Sequence, residues 1–221
     1  MSSRQTYGQD GALASVSGAG QGSIFGQVMG LVATTLGMLT LGAYLGRNLG
    51  EGPSLVCFII GFLCIVGLNF VRGSGGVSVG LLLATGLFLG LGLGGGLVAF
   101  AEANPSVVWE SAAATALFIA GLGSIGYMIS SDLSGGYRLL FLLLLGLIVY
   151  GFVSVFASMP GSNVIYAVLG LAIFGGYTVL DFNRMRSAGD EEATSLAAGI
   201  FLDIVNVFQF FVQLFGNSRQ D

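Results

Sequence analysis

Seven long apolar runs leave this chain little choice of fold. They fall at about residues 24–46, 54–71, 77–100, 109–130, 137–158, 163–182 and 193–215. Each is close to the ~20 residues that a helix needs to cross the hydrocarbon core of a bilayer, the second being the shortest. Lipid offers no hydrogen bonds, so a spanning segment must satisfy its own backbone, and runs of this length do so as α-helices. The reading is one all-α integral membrane domain of seven transmembrane helices over 24–215. A short tail follows at 216–221. Residues 1–23, rich in Ser, Gly, Gln and Ala, read as a disordered N-terminal tail without the basic start and apolar core of a signal peptide. A six-crossing version, with the last segment re-entrant, is the alternative. The joints carry helix breakers: Gly50 to Pro53, Gly73 to Gly76, Asn104-Pro105, Ser134 to Gly136 and Pro160-Gly161.

Composition agrees and removes whole classes of function. The chain is 54% hydrophobic and 8% charged, where a soluble domain has about 25% charged residues. With seven Arg, no Lys and a net charge of −4, nothing supplies the basic cluster that nucleic acid requires. The absence of His excludes His-based zinc sites, Ser-His-Asp and Cys-His nucleophiles, and imidazole pH sensing. Cys57 and Cys64 lie two turns apart on one segment, about 10 Å along a helix, too far for a disulfide. They read as packing residues. Gly90 to Gly95 matches the dinucleotide pattern G-x-G-x-x-G, but inside a membrane-length apolar run rather than between a strand and a soluble helix.

Sidedness follows from arginine. Arg4, Arg72, Arg138, Arg184 and Arg186 fall on one side, Arg47 and Arg219 on the other. The positive-inside rule then sets the N-terminus in the cytoplasm, in a plasma membrane. Thirty-eight glycines supply the means of helix contact, with spacings of four at Gly26/Gly30, Gly42/Gly46, Gly76/Gly80, Gly86/Gly90, Gly90/Gly94 and Gly92/Gly96. Small residues let backbones approach where lipid gives no hydrophobic drive. Internal packing is the reading; a homodimer or a membrane-protein partner could use the same faces.

Chemistry concentrates in two acids. Asp181 and Asp203 occupy membrane-grade helix, where a charged acid at the centre costs roughly 2.5–3.5 kcal/mol on insertion scales. Such residues face the protein interior, pair, carry a proton or touch water. The last two segments are joined by about ten residues and are antiparallel neighbours. If the two carboxyls meet, they share a proton and titrate as a unit. Losing that proton leaves repulsion and a site attractive to cations: a pH switch built without histidine. Hard cations take oxygen ligands, so Ca²⁺ is the candidate ion on Asp181 and Asp203, with no resident cofactor.

Other polar residues have plainer readings beside functional ones. Asn206, Gln209 and Gln213 share about a third of the last helix's circumference with Asp203, as pore lining or as interhelical hydrogen-bond partners. Arg184, three residues after Asp181, is a candidate pair partner at the interface. Ser187 with Asp190 has the spacing of a capping box, and Asp190, Glu191 and Glu192 read as solvated N-terminal acids. Glu51, Glu102 and Glu110 read as loop solvation or as external attractors of cations.

Tyr177-Thr178-Val179-Leu180-Asp181 followed by Leu202-Asp203-Ile204-Val205-Asn206-Val207-Phe208 resembles the C-terminal pattern of the Bax inhibitor-1 (transmembrane Bax inhibitor motif) family. Ala114 to Phe118, Tyr127 and Ser131 to Ser134 resemble its middle crossings. The resemblance spans about residues 24–215. It implies seven helices with the last enclosed by the other six, a di-aspartyl pH sensor and a calcium leak, with Asp181 and Asp203 as the pair. It also implies an arginine latch from the second helix, for which Arg72 is the candidate. Leu180 stands where the family often has Tyr, and Phe182-Asn183 where it often has Thr-Gln; the basic tail of eukaryotic members is missing.

The expected function is therefore a pH-sensitive passive calcium leak channel in a lipid bilayer. One alternative is a non-conducting regulator acting through helix partners. The other is an intramembrane aspartyl protease, which the chain does not favour: the Tyr-Asp and Gly-x-Gly-Asp signatures are replaced by Leu180 before Asp181 and Ile200-Phe201-Leu202 before Asp203.

Overall fold

The computed structural model describes residues 6–71, 75–157 and 162–217. Seven helices follow in order: α1 (Thr6–Gly46), α2 (Glu51–Leu68), α3 (Gly76–Ala103), α4 (Pro105–Met128), α5 (Gly136–Ala157), α6 (Ser162–Met185) and α7 (Ala193–Asn217). A single 3₁₀ turn at Asp190–Glu192 leads into α7. No strand occurs among the described residues, and all seven helices contain a stretch long and apolar enough to cross a membrane. In α1 that stretch is Ile24–Gly46; the helix reaches back to Thr6, into the segment read from sequence as a tail.

Helix boundaries follow local chemistry. Pro105 starts α4, because the first helical N–H has no partner to lose and the ring presets the helical φ. Gly75 precedes α3 at φ 45°, a left-handed conformation that a side chain would oppose. Inside the spans, hydroxyls are satisfied by their own helix. Thr35, Thr85, Thr115 and Thr178 each donate to the carbonyl four residues earlier, at 2.7–3.0 Å.

Glycine joins α1 to α3. Gly86, Gly90 and Gly94 lie against the backbone carbonyls of Thr35, Leu39 and Ala43, and Gly42 and Gly46 answer from α1 against Leu87 and Leu91. A Cβ at any of these would collide with backbone, so the two main chains touch along three turns. Gly61 and Gly92 do the same between α2 and α3, against Leu89 and Phe58. Gly26/Gly30 and Gly76/Gly80 meet nothing within 4 Å, so those spacings are not used inside the bundle.

α7 has the largest buried share of the seven spans and packs against α6, α4, α1 and α3. Leu196, Ile200, Phe201 and Val207 are its innermost side chains. α2 packs on α3 and α5 on α6, and both turn much of their apolar surface outward. The last helix therefore touches partners from both halves of the chain, and its seam with α6 carries the buried acids.

Candidate functional site

Asp181 and Asp203 are both buried, at 7% and 4% exposure, on facing sides of the α6–α7 seam. Among the described residues neither forms an ion pair. Instead each meets one hydroxyl. Tyr137, in the first turn of α5, donates its Oη–H to Asp181 Oδ1 at 2.6 Å. Thr178 Oγ1 stands 3.3 Å from Asp203 Oδ2 and 2.9 Å from the Phe174 carbonyl. A threonine has one hydroxyl hydrogen, and the shorter contact takes it. The longer contact is then a hydrogen bond only in states where Asp203 carries a proton on Oδ2.

The acids are staggered rather than face to face. Thr178, one turn before Asp181 on α6, reaches Asp203. Asp181 in turn lies against Gly199, one turn before Asp203 on α7, where a Cβ would run into its Oδ2. The offset is therefore about one helical turn, ~5.4 Å. The two carboxyls act on each other electrostatically, but among the described residues no hydrogen bond joins them directly. Tyr177 faces both acids and lies 6.2 Å, ring to ring, from Tyr137.

The loop-side end of the site is closed by an amide. Asn183 Oδ1 accepts the Leu133 N–H at 3.1 Å, and the two hydrogens of its Nδ2 are shared among the carbonyls of Ile129 at 2.8 Å, Ser131 at 3.1 Å and Gly126 at 3.3 Å. One buried side chain thus fastens the α4–α5 loop onto the end of α6, and Arg186 adds a bond to the Ile129 carbonyl. Within that loop, Asp132 accepts the Ser134 N–H at 2.8 Å and its hydroxyl at 3.0 Å. The backbone bond, with the side-chain bond second, holds the Asp132 carboxyl below its ordinary range.

Other candidates resolve differently. Arg184 pairs with Glu192 at 3.2 Å across the α6–α7 turn rather than bonding Asp181, although it acts on Asp181 at longer range. Ser187 donates to the Arg184 carbonyl and forms no cap, and the turn before α7 begins at Gly189 without a side-chain cap. The capping box therefore does not form: the 3₁₀ turn takes up the residues that it would have used. Arg72 lies outside the described residues. Cys57 and Cys64 are both free thiols.

The polar stripe on α7 divides between two surroundings. Asn206 donates to its own helix, to the Leu202 carbonyl at 2.8 Å. Gln209 and Gln213 border an open cavity of about 1410 Å³ lined by α1, α3, α4 and α7, with Phe182 of α6 among its lining. Its α7 floor is formed by Val205, Phe208, Val212 and Gly216 as well, and at about 100° per residue these lie roughly opposite Asp203. The acids and the two glutamines thus occupy different faces of one helix.

Comparison with known proteins agrees with this architecture. The model of the family described as "Inhibitor of apoptosis-promoting Bax1" matches residues 22–220, all seven spans included. The chain belongs to the Bax inhibitor-1 family. It is 29% identical over 201 residues to an uncharacterized protein of Chlamydia muridarum, covering 84% of each chain. It is 32% identical over 125 residues to an uncharacterized protein of Caulobacter vibrioides, half of each chain. The inner membrane protein YbhL of Escherichia coli is 24% identical over 157 residues, 66% of each chain. The Bax inhibitor-1 assignment and the seven spans make this an integral membrane protein.

Sequence reasoning did not find Tyr137, Gly199 or the role of Asn183. Tyr137 and Asn183 act across 44 and about 50 residues, and a glycine against a carboxyl is not distinguishable from one against a helix. The one available signal was Asn183 itself, a buried amide two residues from Asp181.

Proposed function

We propose that this Bax inhibitor-1 family member is a pH-sensitive passive cation channel, with Ca²⁺ as its cargo and Asp181 and Asp203 as its titrating element. The observation that carries this reading is two buried carboxyls, staggered across one helix seam, with a single hydroxyl each and no cation salt bridge among the described residues. With a proton on each acid, the seam is neutral and α6 and α7 pack. When the protons leave, two negative charges share an apolar seam, and the cheapest responses are separation of the helices or admission of a cation. Tyr137 donates to Asp181, and Arg184, itself paired with Glu192, acts on Asp181 at longer range, whereas Asp203 meets only the Thr178 hydroxyl among the described residues.

Two carboxylates with the oxygens of Thr178 and Tyr137 make a hard, all-oxygen donor set. It is lean for Ca²⁺, which takes about six to eight ligands, and a lean set suits passage better than storage. The arginine distribution supports a cytoplasmic N-terminus, and the inner membrane relative supports the plasma membrane.

The test is Ca²⁺ flux into proteoliposomes across roughly pH 5 to 8. Asp181→Asn and Asp203→Asn should each flatten the pH profile; if both leak as wild type does at every pH, the reading fails. A second reading, a non-conducting regulator, is favoured by Gly26/Gly30 and Gly76/Gly80, which stand open to a further helix. It requires no flux from the pure protein and a stable helical partner.

A further inference from the structure

Three contacts fix the register of the α6–α7 seam. Asp181 lies against Gly199, Thr178 reaches Asp203, and at the far end the Phe210 ring fills the place that a Cβ on Gly170 would take. From the first contact to the last, α7 advances 11 residues and α6 recedes 11, so all three stand on one antiparallel line. Phe210 follows Asp203 by seven residues, which is about 20° of drift around the helix and about 10.5 Å along it. The ring and the carboxyl therefore share one face of α7. The open cavity borders a different face, and neither Asp203 nor Phe210 belongs to its lining.

Between acid and ring the seam is apolar. Val207, one turn on from Asp203, is fully buried, and Phe174, one turn back from Thr178, is nearly so. Phe210 is buried as well. Its ring meets Tyr166 edge-on at 5.6 Å and Phe174 at 5.8 Å, centre to centre. An ion at the carboxyls is surrounded by oxygens, but one turn further along the same face it meets hydrocarbon. Such a stretch sheds water, and an ion cannot leave its hydration behind there, which is how apolar constrictions close channels. The glycine makes the closure tight. With no side chain on Gly170, the ring lies directly on the α6 backbone.

We infer that Phe210, seated on Gly170, is the gate of the ion path, closing the seam between the carboxyls and the Asn217 end of α7. This role rests on the proposed function, since only a conducted ion needs a gate. It joins the two ends of the seam: charge on Asp181 and Asp203 pushes α6 from α7, and a ring that fits only a helix in contact loses its seat. Closed and open then differ by the withdrawal of one side chain from one glycine.

Ca²⁺ flux into proteoliposomes tests the gate, read at the pH where wild type is slowest. Phe210→Ala should raise the rate there several-fold and narrow the difference between fast and slow conditions. Phe211→Ala removes a ring of the same size from the same turn, one that meets Phe118 at 5.7 Å, and should leave the profile as it is. Phe210→Val takes the place of Phe210→Ala should the latter not fold. A second readout needs no flux. In a Cys57→Ser, Cys64→Ser background, Val207→Cys sets a thiol between acid and ring. A water-soluble thiol reagent should reach it slowly in mild detergent, and about tenfold faster once Phe210→Ala is added, but no faster with Phe211→Ala. Aspartate-dependent flux that Phe210→Ala leaves at the wild-type level overturns the gate and spares the channel. If no variant carries Ca²⁺, the channel falls and the thiol rates decide: equal rates with and without the ring overturn the closure.

Discussion

The α1–α3 seam and the α6–α7 seam bring helices together by opposite means. In the first, glycines strip away side chains until main chain meets main chain, with Gly90 against Leu39 and Gly86 against Thr35. Nothing there can titrate, and little can move without a clash. In the second, the helices are kept apart by side chains that carry protons: Asp181, Asp203, Thr178 and, from α5, Tyr137. A main-chain seam has one good arrangement, whereas a polar seam has as many as it has protonation states. One half of the bundle is thereby a frame and the other is able to respond.

That contrast can be broken most directly at the frame. Gly90→Ala pushes a Cβ into the Leu39 carbonyl and the Ala43 amide, neither of which can swing aside. We expect a loss at or above the ~3 kcal/mol upper end of overpacking costs, read as a large drop in melting temperature. An unchanged melt would mean that the two helices slide freely. Next in size is Asn183→Ala, which leaves the Ser131 carbonyl and the Leu133 N–H without this partner and the Ile129 carbonyl to Arg186 alone. It should cost about 1–3 kcal/mol and speed hydrogen exchange over residues 129–135, with little change elsewhere. Uniform exchange across the bundle would count against a local clamp.

Tyr137→Phe removes one hydrogen bond and keeps the ring. A cost of about 1 kcal/mol is expected, together with a displaced midpoint in the pH profile of flux. Tyr150→Phe, whose ring stacks on Tyr166 at 6.4 Å, should leave both unchanged. At Gly26, where nothing lies within 4 Å, the sign reverses: Gly26→Ala should stabilise by about 0.5–1 kcal/mol through helix propensity, unless another helix occupies that face. Smallest is Asp132→Asn. Because its folded carboxyl titrates below the unfolded value, the stability it lends is present above that value and fades as pH falls through the lower, folded one. Loop exchange in wild type should therefore rise under strong acid, and the variant should lack that step.

The spans were legible because a bilayer imposes a length and an apolar composition, and both are written locally. Even the errors at their ends have local causes. The second and fourth runs were started at 54 and 109, but α2 begins at Glu51 and α4 at Pro105, since proline in a first turn opens a helix as readily as it ends one. Asp181 and Asp203 stood out because charge is rare in such segments. Their partners did not. A tyrosine, a threonine and a glycine in an apolar run have many uses, and only the fold says that Tyr137 meets Asp181 or that Gly199 yields it room. The stripe joining Asp203 to Gln209 and Gln213 divides between two surroundings, because about 120° of arc on a helix is wide enough to face two environments.

The fastening at Asn183 has one more implication. An amide bears no charge at any acidity that the cell reaches, and its bonds to neutral carbonyls present no net charge for dissolved ions to screen. The grip of Asn183 on the α4–α5 connection will thus hold equally in dilute and concentrated buffer, down to the strong acid at which the Asp132 turn gives way. Whatever the neighbouring carboxyls do as their protons come and go, they do behind a door whose hinge is indifferent to the weather.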